Sequence, residues 1–238
     1  MSMPPAGPGL ADLLRRRTRS LHVEAERSGV IADLLGGRID RTVYAVFLRN
    51  LLPAYRQMEA GLERHRALPG IGALALPAVY RAAAIEADLA VLGGPDWQND
   101  LPLLPEGEHY AARVAAAAEG DGTGLIGHAY VRYLGDLSGG QVLRRRLADQ
   151  PGLPPDALTF YQFQAPAALE AAFREALAQA GRALADPEPV VAAAVEAFRL
   201  NIALSEAVGR LSRGPDGGLL SSDCAAAARA ARAGRTDR

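Results

Sequence analysis

Apolar residues recur at intervals of three and four along nearly the whole chain. Leu10, Leu13, Leu14, Leu21 and Ala25 form the first such stripe, the spacing that puts side chains on one face of an α-helix. Gly29 and then Gly36-Gly37 interrupt it. Asp40 is a good N-cap for a second, longer helix with its apolar face at Val43, Val46, Phe47, Leu51, Tyr55, Met58 and Leu62. Pro53 lies inside that helix and predicts a kink. A third helix is expected over about 77–92, stopped by Gly93-Gly94-Pro95, and a loop with Trp97, Pro102 and Pro105 follows. A fourth is expected over 106–119, a turn over 120–124 and a fifth helix over 125–150. Two more follow Pro166 and Pro187, the last carrying Val191, Val195, Phe198, Ile202, Leu204 and Val208. Alternating runs are short and β-branched residues sparse, so the pattern predicts an all-α fold. It predicts one domain over 10–211, a disordered Pro/Gly-rich start over 1–9 and a flexible tail over 212–238.

Composition narrows the classes. The chain has 238 residues, 49% hydrophobic and 22% charged, which is globular and excludes wholesale disorder. A net charge of -1 argues against a nucleic-acid partner. The single cysteine, Cys224, cannot form an internal disulfide or a cysteine-based zinc site, so nothing argues for secretion. With neither a signal peptide nor an apolar run long enough for a membrane span, the expected location is the cytoplasm. Lysine is absent, so every basic side chain is an arginine, whose planar fork matches carboxylates.

Residues 128–141 do not fit an ordinary helix. Gly135, Gly139 and Gly140 sit inside a periodic stretch, where each costs about 0.8–1 kcal/mol relative to Ala. Gly135 and Gly139 are one turn apart and share a face where backbone can touch something flat, with Asp136 beside it and Arg132 one turn before. Close helix–helix packing explains a lone Gly-xxx-Gly, but charge clustered with glycine suggests use. The second unusual residue is His22, bordering the apolar face of the first helix with Glu26 at i+4. A carboxylate behind a histidine suits a metal ligand, because it sets the ring's tautomer. His128, near the glycine face, is its only rival. One histidine and one glycine face on two helices suggest a flat macrocycle held between them.

The run Arg132-Tyr133-Leu134-Gly135-Asp136-Leu137-Ser138-Gly139-Gly140-Gln141 resembles the distal-helix signature of the heme oxygenases. Thr18-x-x-x-His22-x-x-x-Glu26 resembles that family's proximal helix, Gly94-Pro95-x-Trp97-Gln98 its mid-chain loop, and Phe198-x-Leu200-Asn201-Ile202-x-Leu204 its last core helix. The resemblance covers about residues 10–210 in order and implies a soluble bacterial-type enzyme with heme b sandwiched between proximal and distal helices. It implies His22 as the axial iron ligand, Glu26 behind it, and Gly135 and Gly139 on the distal face, with Gly140 adding flexibility. It implies that Asp136 organises a distal water network with Tyr55, Tyr110, Arg132, Tyr133 and Asn201. It also implies that Arg15, Arg19, Tyr130 and Arg174 meet the heme propionates. The Arg174 helix offers no clear second basic partner, because Glu170 stands one turn before Arg174.

The implied reaction opens heme to biliverdin, the IXα isomer, with carbon monoxide and Fe²⁺. It uses O₂ and electrons from a ferredoxin or a flavoprotein reductase. Two rival readings are weighed. A heme carrier or sensor of the same fold would lack the distal polar set. A di-iron carboxylate enzyme needs two Glu-x-x-His pairs, and only Glu106-x-x-His109 is present.

Overall fold

The computed structural model describes residues 9–213, and every regular element among them is helical. α1 spans Leu10–Arg27 and passes through Ser28 into α2, Gly29–Leu35. Gly29 has φ +48°, and a Cβ there would lie 2.1 Å from the Ser205 carbonyl oxygen. Only glycine both makes this turn and lets α2 seat so closely on the last helix.

α3, Arg41–Arg64, starts as the sequence predicts: the Asp40 carboxylate accepts the Val43 N–H at 2.8 Å. Pro53 stands inside α3 without ending it. The helix is buried on nearly every face because α4, Ala82–Gly93, and α6, Pro105–Ala117, pack on it from two sides. Tyr44, Phe47, Leu48, Leu51 and Leu52 are fully buried there.

The expected helix over 77–92 begins later. Pro77–Val79 form a 3₁₀ turn and α-structure starts at Ala82. The Arg81 and Ala82 N–H groups, at 2.6 and 2.9 Å, donate to the Glu59 carboxylate of α3. A side chain remote in sequence thus caps α4. The Trp97 segment, expected as loop, forms a single helical turn, α5, Trp97–Asp100, with the indole buried.

The expected helix over 125–150 is the largest departure. It is α7, Thr123–Ala129, a π-helical turn at Tyr130–Leu134, α8, Gly135–Ser138, and α9, Gly140–Ala148. A π turn takes in an extra residue, so it shifts the angular register of everything after it. α10, Pro166–Ala183, and α11, Glu188–Arg213, complete the fold. α11 packs on α7, α1, α2 and α6. At the α7 crossing a Cβ on Gly127 would lie 2.6 Å from Val190 O and Ala194 N, so glycine sets that approach.

Ser212, placed in the tail by the sequence pattern, belongs to α11: it is buried and its hydroxyl donates to Gly209 O at 2.8 Å. Residues 1–8 and 214–238 of the two expected flexible ends lie outside the described residues. No helix among the described residues is long and apolar enough to cross a membrane.

Candidate functional site

Arg132, on the π turn, is the centre of a closed polar cluster. Its Nε donates to Tyr55 Oη at 2.9 Å, Nη1 to Asn201 Oδ1 at 2.9 Å and Nη2 to Asp136 Oδ1 at 3.2 Å. Tyr55 Oη in turn donates to Asp136 Oδ2. The four side chains come from α3, the π turn, α8 and α11, and all are buried. Burial pushes the Asp136 carboxyl up, against the opposing pull of Arg132 and the Tyr55 hydroxyl. Burial also works against the Arg132 charge, but Tyr55, Asp136 and Tyr110 outweigh it and hold the guanidinium protonated. A buried acid pinned on both oxygens has its geometry fixed in advance.

The glycines beside Asp136 face differently. A Cβ built on Gly135 meets nothing within 4 Å, and one on Gly139 meets only Gly135 O, at 3.1 Å. Both are exposed, so they present bare backbone to open space. Gly140 has different surroundings. It is buried, and a Cβ there would lie 2.8 Å from Tyr161 Cδ1, so its smallness admits an aromatic ring on the other side of the helix.

Tyr110 and Tyr133 lie beside the cluster, both against Tyr55. Both are fully buried, and neither hydroxyl has a hydrogen-bond partner among the described residues. Tyr110 lines a narrow gap with Tyr55, Met58, Val114, His128 and Arg132. Tyr133 leans its ring on Tyr55, 6.2 Å between centroids.

His22 is on the exposed face of α1, its side chain 58% accessible. Its Nδ1 is 3.7 Å from Glu26 Oε1, too long for a hydrogen bond but close enough for a small rotation to make one. Its ring edge meets Phe198 at 5.9 Å. Phe198 is one turn before Asn201 on α11, so that helix ties His22 to the buried cluster. An exposed imidazole and a glycine face with open space beside it fit a flat, iron-bearing macrocycle that needs one protein ligand. Among the described residues no three or more His, Cys, Asp or Glu converge, so a di-iron carboxylate site has no ligand set there.

Arg15 and Arg19 are exposed and have no ion pair among the described residues, whereas Arg17 between them is held by Glu188 at 2.8 Å. Half-buried Tyr130 lies against Thr18 with the charges of Arg15 and Arg174 nearby, so three of the four expected propionate partners converge. Arg174 is itself bound to Glu170, Nη2 to Oε1 at 2.8 Å, which competes with any ligand carboxylate.

His128, the rival to His22, is sealed in the core. It is fully buried and neither ring nitrogen has a hydrogen-bond partner among the described residues. Burial pushes it down to about 4. The unfolded chain takes up this proton below its ordinary value of about 6.5, whereas the folded chain takes it up only near pH 4. Stability therefore falls as pH drops through that window, by on the order of 3 kcal/mol for this residue. His128→Leu should flatten the slope, as read from denaturant midpoints at pH 7 and pH 4.5; parallel slopes for both proteins would refute it.

The sequence pattern missed the segment that closes the distal side. Asp88, fully buried on α4, accepts from Thr159 N and Phe160 N at 2.8 Å each. This pins Phe160 edge-on to Tyr55, centroids 5.6 Å apart, and Tyr161 against Gly140. The available signal was an acid on the apolar face of Ile85, Leu89 and Leu92, followed by Phe160-Tyr161-x-Phe163 in a non-helical stretch.

The comparisons with known proteins identify the family. The heme oxygenase family pattern matches residues 8–207. Heme oxygenase 1 of Rattus norvegicus is 34% identical over 157 residues, covering 65% of this chain and 54% of that protein, so the chain spans about half of that relative's length. Heme oxygenase 1 of Synechocystis sp. is 32% identical over 81% of this chain and 82% of its own. The crystal structure of heme oxygenase-2 from Synechocystis sp., in complex with heme and NO, superposes with a TM-score of 0.79 at 29% identity, over 88% of this chain and 89% of that one. By sequence pattern and fold, the chain belongs to the heme oxygenases, a family of heme-degrading oxidoreductases.

Proposed function

We propose that this protein binds heme b between α1 and the α7–α9 segment and opens it to biliverdin IXα, carbon monoxide and Fe²⁺. The carrying observation is the pinned Arg132–Asp136–Tyr55–Asn201 cluster beside a glycine face open to a flat group. When bound, heme supplies the iron that takes up O₂ and is itself the substrate. His22, with Glu26 beside it, would hold the iron through a ring nitrogen. Gly135 and Gly139 would lie against the macrocycle, where a Cβ would take up the open space. Asp136 holds water there and supplies protons at one position, because Arg132 and Tyr55 prevent its carboxylate from turning. A carrier has no use for so constrained an acid.

Arg15, Arg19, Tyr130 and Arg174 orient the macrocycle through its propionates. The test is to add hemin with ascorbate and separate the products by chromatography. The expected product is biliverdin, with the α isomer dominant. Unchanged heme would indicate a carrier, and a dominant β or δ isomer would refute the orientation. Glu170→Ala, which frees Arg174, should sharpen the α preference.

The electron donor is proposed to be an acidic protein, a ferredoxin or a flavoprotein. Arg15, Arg16 and Arg19 on α1, with Arg144, Arg145 and Arg146 on α9, have no ion pair among the described residues. Arginines free of ion pairs speed encounter with an acidic partner in a salt-dependent way. Replacing Arg144, Arg145 and Arg146 by Gln should slow ferredoxin-driven turnover about tenfold at low salt and leave ascorbate-driven turnover intact. The difference should shrink as salt rises. Equal loss with both reductants would disprove docking.

A further inference from the structure

α4 buries an acid with no cation beside it. Asp88 is fully buried on the apolar face formed with Ile85, Leu89 and Leu92, and it makes no ion pair among the described residues. A buried carboxylate is costly unless its oxygens are hydrogen-bonded. Three donors meet this one, all from the non-helical stretch 158–165. Thr159 N reaches Oδ1 and Phe160 N reaches Oδ2, at 2.8 Å each, and the Thr159 hydroxyl also donates to Oδ1. Burial raises the carboxyl and these donors pull it back.

The stretch held in this way carries two rings. Phe160 and Tyr161 are buried, with centroids 4.4 Å apart. The Phe160 ring meets Tyr55 edge-on, at 5.6 Å and 84°. Tyr161 fills the space left by Gly140, and its carbonyl accepts Gln141 Nε2 at 3.0 Å. The far end is anchored without Asp88: the Arg81 guanidinium donates to Gln162 O at 3.0 Å and lies 4.1 Å over the Phe163 ring. Asp88 therefore governs the part that touches the Arg132 cluster. Tyr55 needs that support. Its hydroxyl donates to Asp136 Oδ2 and accepts Arg132 Nε at 2.9 Å, so its ring has to keep one angle for both bonds. Tyr133 packs on that ring at 6.2 Å and Phe160 at 5.6 Å. With the Phe160 edge withdrawn, the phenol can tip about its side-chain bonds, and hydrogen bonds weaken steeply once off line.

We propose that Asp88 is a positioning residue of the distal site: by holding Thr159 and Phe160 it sets the Tyr55 ring, and through the Tyr55 hydroxyl it sets the direction in which Asp136 presents its carboxyl. This rests on the heme oxygenase reading above and deepens it. Asp88 acts through those side chains and exchanges no proton itself.

Two variants separate the carboxylate from the ring. Asp88→Asn keeps an acceptor for one backbone N–H and turns an amide donor on the other. Phe160→Leu keeps the Asp88 bonds, which go to backbone and to Thr159, and removes only the aromatic edge. In heme-free protein, the Tyr55 hydroxyl proton, assigned by its loss in Tyr55→Phe, should exchange with water about tenfold faster in both variants, as local opening becomes easier. In the heme complex, ascorbate-driven turnover should fall between about tenfold and about 10²-fold, the scale of a small misplacement near the reacting atoms, with heme affinity within about twofold. Asp88→Ala, which keeps no acceptor, should lose more than Asp88→Asn. Ile71→Ala is the control. Ile71 is buried beside Gly122, so this variant lowers the melting temperature and should leave both readouts at the wild-type level below its midpoint. Unchanged Tyr55 exchange in Phe160→Leu would overturn the proposal, whether or not Asp88→Asn folds. So would equal acceleration in Ile71→Ala, since Asp88 would then contribute only to stability. The exchange measurement needs no heme. A wild-type protein that makes no biliverdin would therefore defeat the functional reading separately.

Discussion

His22→Ala is expected to abolish the nitrogen-ligand signature of the heme complex and reduce biliverdin formation at least about 10²-fold, the scale of losing an essential positioned group. The fold should not be affected. His22 is exposed, makes no hydrogen bond and sits on a helical face, where Ala is the better helix former by roughly 0.5 kcal/mol. The melting temperature of heme-free protein should therefore stay the same or rise slightly. Millimolar imidazole should restore part of the spectrum by occupying the space left by the ring. His128→Ala is the contrasting variant: it should lower stability and keep the ligand signature, because that ring is enclosed in the core. A nitrogen signature that survives His22→Ala and vanishes in His128→Ala would reverse the two roles.

Asp136→Ala should separate binding from chemistry. The carboxylate is buried behind the glycine face and has no part in holding the iron, so heme affinity should stay within about threefold. Biliverdin yield should fall about 10²-fold or more, as expected when a positioned proton donor is removed. Stability should drop as well. The substitution leaves Arg132 buried with one fewer acceptor and frees the Tyr55 hydroxyl. Breaking one side of a buried pair costs about 3–5 kcal/mol, which corresponds to roughly 10 °C in melting temperature for a chain of this size. Turnover is therefore compared well below the lowered midpoint. Full biliverdin yield from Asp136→Ala would eliminate its proton role, and an unchanged melting temperature would contradict the closed cluster around Arg132.

Several parts of the site were legible in the chain because they depend on local chemistry. Glycines inside a helical period have no local justification, and Gly135 and Gly139 present bare backbone to open space. Asp40 caps α3 because the acceptor and the Val43 N–H are three residues apart. The segments that proved different were decided at a distance. α4 begins at Ala82 because Glu59, on another helix, accepts its first N–H groups. The 125–150 stretch breaks into a π turn and two short helices, and Tyr161 packs where Gly140 leaves room. Tyr110 and Tyr133 come from separate elements and meet Tyr55 only through the packing of those elements.

Hydrophobic periodicity by itself determined the all-helical class, the order of the long helices and the apolar face of α3. Motif spacing determined the family and paired His22 with Glu26 on one face of α1. Both follow from short-range geometry, in which side chains three or four residues apart share a helix face. Tertiary structure alone decided that Arg132 joins Tyr55, Asp136 and Asn201 from four elements, that His128 is sealed while His22 is open, and that Arg174 is engaged by Glu170. Those outcomes depend on the π-turn register and on which helices cross α11. Burial and partnering are set by that assembly, and a one-dimensional pattern carries no record of what packs across from a given face.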